Sequence, residues 1–318
     1  MRRRAARNVL MKHGELVAPQ AGDVLVTAAV GRAEEAVALW AAPEDAAALH
    51  GRHENAGGAS FPDVTLPQPV EVRATVHTAS RVTQVISIGE LSLAHPNVQP
   101  MPDGELLIVG SRCAWTPESV RPNAALYGAD GSLHRTAVVG DGVQHVRSTP
   151  VGEVCIGYSD EGIYGNFGWG GPGPAPIGRS GLARFDADLN MTWEYPSAES
   201  IPRIDDFEAL NVTTDVWACY YSDYPLARIQ DGSVRTWRTG LTSVSALLVD
   251  DDRVAFFGSQ ATFGRIEGDN LRVTGNAPLA LPREASPRGT QLIGQGPVLN
   301  VLTPDGTWYR GDLDSFVR

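Results

Sequence analysis

Short apolar runs recur along the chain, each entered from a polar turn and closed by serine and a larger polar residue. EVCIGYSD, from Glu153 to Asp160, is one copy; ELLIVGSR (Glu105 to Arg112), DVWACYYSD (Asp215 to Asp223) and RVAFFGSQ (Arg253 to Gln260) repeat it. The closing pairs are Ser111-Arg112, Ser159-Asp160, Ser222-Asp223 and Ser259-Gln260. A run of about six apolar residues is too short for a typical helix, and its β-branched and aromatic content predicts a strand. DVLVTAAVGR, from Asp23, reads as the first copy, with Gly31-Arg32 in place of the closing pair.

A second family of segments follows. AVALWAAPED from Ala36, NAALYGADG from Asn123, GLARFDADL from Gly181, PLARIQDG from Pro225, TFGRIEGDN from Thr262 and VLNVLTPDG from Val298 each predict a strand ending in an Asp/Gly turn suited to a hairpin. A third strand follows in SLHRTAVVG, NMTWEYP, SVRTWRTG, LRVTG and TWYRGDL. A less regular fourth precedes each opening run, in NVQPMPDG, VRSTPVG, ALNVTTD, ALLVDDD and EASPRG from Glu284. The unit is an antiparallel meander of four strands, appearing about six times.

Repeated meanders of this kind close into a β-propeller, so the expected fold is all-β, with about six four-stranded antiparallel blades in one domain over residues 1–318 and a seventh blade as the alternative. The opening runs are nearly continuous rather than alternating because they lie between packed neighbouring blades. Residues 46–67 form a low-periodicity insertion, after which VEVRATVHTASRVTQVISIGE reads as two strands. Residues 1–20 show no period and are expected to be an arm or an added edge strand.

Composition narrows the function classes. A hydrophobic share of 42% is ample for a packed core. The net charge of -11 argues against non-specific binding to nucleic acid or to an anionic membrane, since both need a basic surface. Cys113, Cys155 and Cys219 are too few for a disulfide framework, and inside apolar runs a thiol reads as a small hydrophobe. No segment approaches a membrane span or a signal peptide, so the expected location is the cytoplasm.

The repeat also says which connections share an end of the blades. Those after the opening strands supply Arg112, Asp160, Glu161, Asp223 and Gln260; those entering the fourth-type strands supply His95, Asn97, Asp141, Gln144, His145, Asp205, Asp206, Glu208 and Asn211. Carboxylates from distant segments are thereby expected around one channel mouth, either as a site or as solvated turn caps. Candidate acid, base or nucleophile positions are His145, Asp160, Glu161, Asp206 and Glu208. Ca²⁺ or Mg²⁺ could be held by Asp141, Asp205 and Asn211, as hard oxygen ligands. No HExxH, paired-cysteine, EF-hand, GxSxG or Walker pattern is present.

DEGIYGNFGWGGPGPAPIG, from Asp160 to Gly178, is the most distinctive connection, because the corresponding ones after Asp223 and Gln260 are far shorter. A long Gly-rich loop carrying Tyr164, Phe167 and Trp169 is expected to overhang the mouth, with Tyr164 or Trp169 touching a ligand. The expected ligand-binding set is Arg112, Tyr164, Asn166, Trp169, Asp223 and Gln260. The blade pattern resembles six-bladed propellers of the gluconolactonase-like and NHL-repeat kind. In gluconolactonases a divalent cation sits in the channel on carboxylate and Asn ligands, which is what the resemblance implies for the acidic positions here.

Two function classes follow. One is a binding module that holds a small molecule or a protein at an acidic, aromatic-rimmed mouth. The other is a divalent-cation-assisted hydrolase or lyase acting on a sugar-like or lactone substrate.

Overall fold

A computed structural model of the chain describes residues 10–31, 34–54, 57–149, 151–279, 281 and 289–316. The fold is an all-β propeller of six blades, each a four-stranded antiparallel sheet. The described residues divide into two compact units, one of residues 16–199 and 203–207, the other of residues 10–15, 200–202 and 208–316.

The first unit carries three sheets. The first runs Val24–Val30, Ala36–Ala41, Thr65–His77, Val82–Leu93; the second Pro96–Pro100, Leu106–Gly110, Ala124–Tyr127, Leu133–Ala137; the third Val143–Ser148, Val154–Tyr158, Leu182–Phe185, Met191–Glu194. Within each sheet every strand pairs with the next in the chain, as a meander requires. The runs Leu106–Gly110 and Val154–Tyr158 are buried at every position, while Leu133–Ala137, the outermost strand of the second sheet, is almost wholly exposed. That gradient explains the two sequence textures, since a middle strand is covered on both faces and an edge strand is not. Val37, Leu39, Val72, Ile86 and Ile108 share one apolar cluster between the first two sheets.

The other unit carries Val216–Tyr221, Leu226–Gln230 and Ser233–Trp237 of the fourth sheet, whose first strand is Asp206–Val212. The fifth sheet runs Ala246–Asp250, Arg253–Phe257, Ala261–Glu267, Asn270–Ala277. The sixth is Gln291–Gln295, Val298–Leu302 and Thr307–Asp312, completed by Met11–Glu15 from the other end of the chain. The expected edge strand near the N-terminus is this one, pairing Met11 with Arg310 and Glu15 with Thr307.

Both ends of the repeat shift by one strand relative to the sequence reading. DVLVTAAVGR is the innermost strand of the first sheet, not its second, and AVALWAAPED is the second. VLNVLTPDG likewise holds the second place in the sixth sheet. The apolar texture of an innermost strand and a second strand is similar, so only pairing separates them. EASPRG falls, apart from Gly289, outside the described residues; the innermost strand there is Gln291–Gln295. The insertion after Ala41 forms a helix, Pro43–Leu49, and a small hairpin, Arg52–Glu54 with Ser60–Pro62. No helix among the described residues is long and apolar enough to cross a membrane.

Candidate functional site

Arg112 follows the strand Leu106–Gly110, and Asp141 precedes Val143–Ser148, the innermost strand of the next sheet. Their meeting, with Nη2 3.2 Å from Asp141 Oδ2, realises the shared blade end expected of these two kinds of connection. Asp141 Oδ1 accepts the Cys113 backbone N–H at 2.8 Å. Arg112 Nη1 pairs with Glu161 on the long connection, and its guanidinium lies 4.7 Å from the centre of the Phe167 ring. Arg112 and Asp141 are buried, at 7% and 3% exposure. Burial raises the Asp141 carboxyl to about 6, against the opposing pull of Arg112.

The same geometry recurs one sheet on. Asp160 follows Val154–Tyr158 and Asp206 opens Asp206–Val212. The Asp160 backbone N–H donates to the Asp206 carboxylate, whose pKa is raised by burial and, after that, by the Asp160 charge. One Asp206 oxygen is buried without a hydrogen-bond partner. Asp160 itself is exposed.

The long connection begins as a short helix, Asp160–Tyr164, and then splits its aromatics between two roles. Tyr164 is 55% exposed; its hydroxyl donates to Asp205 Oδ1 and accepts from Arg203 Nη2 at 2.8 Å, with the guanidinium 5.4 Å from the ring centre. The hydrogen bond to Asp205 raises the Tyr164 pKa. Trp169 is 8% exposed and donates from Nε1 to the Cys113 carbonyl at 2.7 Å. The Trp115 backbone N–H donates to the Phe167 carbonyl at 2.9 Å, and Asn166 Nδ2 donates to Glu161 Oε1 at 3.0 Å. The glycines have a steric reason: Gly168 has φ +89°, and a Cβ there would meet the Trp115 carbonyl at 2.1 Å. A Cβ on Gly162 would meet the Asp141 carbonyl at 2.3 Å. The loop is therefore laid tightly against residues 113–115 and 141–142.

The other sequence-chosen residues fall as follows. His145 is half-buried, its ring 5.6 Å from Phe207. His95 contacts the Gly51 carbonyl at 2.9 Å, and burial lowers its pKa. In the second unit Glu208 is half-buried on the innermost strand of the fourth sheet, and Asp223 and Gln260 are exposed. Asn211 is fully buried: its amide donates to the Leu247 and Gly296 carbonyls at 2.7 and 2.9 Å, and its oxygen accepts the Gly296 N–H at 2.8 Å. The amide oxygen of Asn211 is thus already engaged. Among the described residues no group of three or more His, Cys, Asp or Glu side chains is arranged to hold a metal ion.

Sequence reasoning missed Arg203, the residue that bridges Tyr164 and Asp205. Its place two residues before Asp205 is the one local signal that it lies near that carboxylate. All three cysteines are free and buried, and burial raises the Cys113 and Cys155 thiols to about 12, in keeping with small hydrophobes.

The chain matches no protein-family model and no curated protein. Solved structures matching the fold include a catalytically inactive virginiamycin B lyase from Staphylococcus aureus with quinupristin, at 9% identity over 95% of this chain and 98% of that one, TM-score 0.44. A chain of the mitotic checkpoint complex matches at 6% identity over 95% and 90%, TM-score 0.46. Sqt1 of Saccharomyces cerevisiae matches at 9% identity over 91% and 83%, TM-score 0.43. These likenesses concern fold alone.

Proposed function

We propose that this protein is a binding module whose ligand, a small molecule or a protein segment, docks through a cationic group on the acidic, aromatic-rimmed surface formed by Asp160, Glu161, Asp205 and Asp206 with Tyr164. The observation that carries this reading is the hydrogen bond from the Asp160 backbone N–H to the Asp206 carboxylate, which sets two acidic residues from distant parts of the chain side by side. Burial and then the Asp160 charge disfavour ionisation of Asp206, and an amine or guanidinium arriving beside the two acids relieves that cost. The exposed face of Tyr164 offers rigid contact area beside them. Free, buried thiols support a cytoplasmic location.

The test is isothermal titration with spermidine and arginine methyl ester against the neutral probe glucose. Cationic probes binding to the wild type, and about 10-fold weaker to Asp206→Asn, support the reading. Equal binding of all probes to both proteins ends it.

The raised carboxyl of Asp206 beside Asp160 favours one second reading, a hydrolase with Asp206 as general acid and Asp160 as base or as a Ca²⁺ or Mg²⁺ ligand. Turnover of chromogenic glycosides or lactones, lost in both Asp160→Asn and Asp206→Asn, distinguishes it from binding alone.

A further inference from the structure

The first unit holds a cavity of about 670 Å³ walled by residues of the first and second sheets and by the connection through Arg112 and Arg121. Its origin lies in a break of the ladder between the two outer strands of the first sheet. Thr65 pairs with Leu93 and Val70 with Leu91, so Ser92 alone stands opposite the four residues from Leu66 to Pro69. Pro67 and Pro69 have no N–H to give to a ladder, and the segment bulges out of the sheet. The opposite wall is the turn closed by the Trp115–Val120 bridge, which the long connection supports from behind through Phe167 and Trp169.

The lining combines apolar residues, Leu66, Leu93, Pro122, Tyr127 and Leu133 among them, with polar ones such as Gln68, Ser92 and Thr136. Three charged side chains line it: Glu90, Arg112 and Arg121. Arg112 is 7% exposed, and although it has ionic partners in Asp141 and Glu161, its Nε and Nη2 donate no hydrogen bond. Arg121 has no side-chain hydrogen bond or ion pair among the described residues, whereas Arg73, Arg135, Arg228 and Arg253 each hold a carboxylate. The two arginines are joined locally by the Cys113 thiol, which lies 3.6 Å from the Arg121 carbonyl. Arg112 is enclosed with its two carboxylates, so the exposed Arg121 is the guanidinium left with accessible donors beside the cavity. It matches an acceptor-bearing anion with a hydrocarbon body, and a guanidinium fork suits a carboxylate geometrically.

We propose that this cavity binds an apolar monocarboxylate, its hydrocarbon part against Leu66, Leu93 and Tyr127 and its carboxylate on Arg121. Glu90 opposes that charge and weakens the binding. The site takes a ligand of the opposite sign to the acidic surface and stands or falls independently of it.

The experiment is calorimetric titration at fixed ionic strength with sodium octanoate, using octanamide as the uncharged probe of the same length. Wild-type protein is compared with Arg121→Gln, Glu90→Gln, Ser92→Trp and Asp206→Asn; the first three replace exposed residues, and cooperative melting without ligand checks each fold. The expected result is octanoate binding about 10-fold tighter than octanamide, with that preference lost in Arg121→Gln. Glu90→Gln tightens octanoate, Ser92→Trp weakens both probes by filling the cavity, and Asp206→Asn changes neither. Equal affinity for the two probes, an unchanged preference in Arg121→Gln, or no octanoate binding at millimolar concentration overturns the proposal.

Discussion

Nη2 of Arg112 and Oδ2 of Asp141 lie 3.2 Å apart, both nearly inaccessible to water, and neither atom completes a hydrogen bond. The pair joins a connection leaving the second sheet to one entering the third. A charge this deeply buried is tolerated because the other is beside it, so removing one partner leaves the second stranded. Replacement of Arg112 by Met is expected to cost about 3–5 kcal/mol in urea unfolding. Arg112→Met combined with Asp141→Asn should recover part of that loss. A double variant no more stable than the single one would show that Arg112 acts through packing on Phe167 instead.

The same pair gives a pH dependence of definite sign. Burial raises the Asp141 carboxyl to about 6. Its contribution to stability is therefore fully present below the unfolded-state value, near 4, and is lost as pH rises through 6. Asp141→Asn retains an acceptor for the Cys113 N–H but does not titrate. The stability of wild type relative to this variant should fall between pH 4 and pH 7 by up to about 3 kcal/mol. Parallel pH profiles for the two proteins would show that Arg112 holds the carboxylate ionised throughout.

Trp169 divides the architectural part of the long connection from its exposed part. Trp169→Ala is expected to lower stability by about 3–5 kcal/mol, since it empties a buried aromatic site. Trp169→Phe should cost about 1 kcal/mol or more, because it leaves the Cys113 carbonyl without its donor. Tyr164→Phe, at an exposed site, should leave the melting temperature nearly unchanged. Replacement of residues 162–173 by a two-residue turn removes buried Ile163 with Trp169 and should lower the midpoint sharply. A midpoint equal to wild type would make the loop an independent lid.

Asn211 ties its own strand to Leu247 on Ala246–Asp250 and to Gly296 in the turn after Gln291–Gln295. Asn211→Ala strands two carbonyls and one N–H in a dry interior, and the expected loss is about 3 kcal/mol or more in denaturant unfolding. Asn211→Asp is the sharper comparison, because a carboxylate cannot donate to the two carbonyls. A neutral outcome for Asn211→Ala would mean that water replaces the amide.

Blade texture was legible in the sequence because burial on a sheet depends on local order: LLIVG and VCIGY are covered on both faces, and the exposed LHRTA is an edge. The blade end shared by Arg112 and Asp141, and by Asp160 and Asp206, was also legible, because a meander alternates direction and puts every second connection at the same end. The depth of Trp169 was not, since glycine-rich loops look alike whether they overhang a site or lie tightly against a neighbour; the 2.1 Å approach of a Cβ at Gly168 to the Trp115 carbonyl exists only in three dimensions.

The amino-acid order by itself determined the strands, their grouping into meanders and the propeller class, because each follows from short-range alternation of apolar runs and turns. Only the tertiary structure decided that Met11–Glu15 completes the sixth sheet beside Thr307–Asp312, and that DVLVTAAVGR is an innermost strand. Those outcomes depend on which distant edge is left unpaired. Pairing across the chain satisfies backbone donors and acceptors wherever an open edge is offered, and no local period in the sequence records where that edge will be.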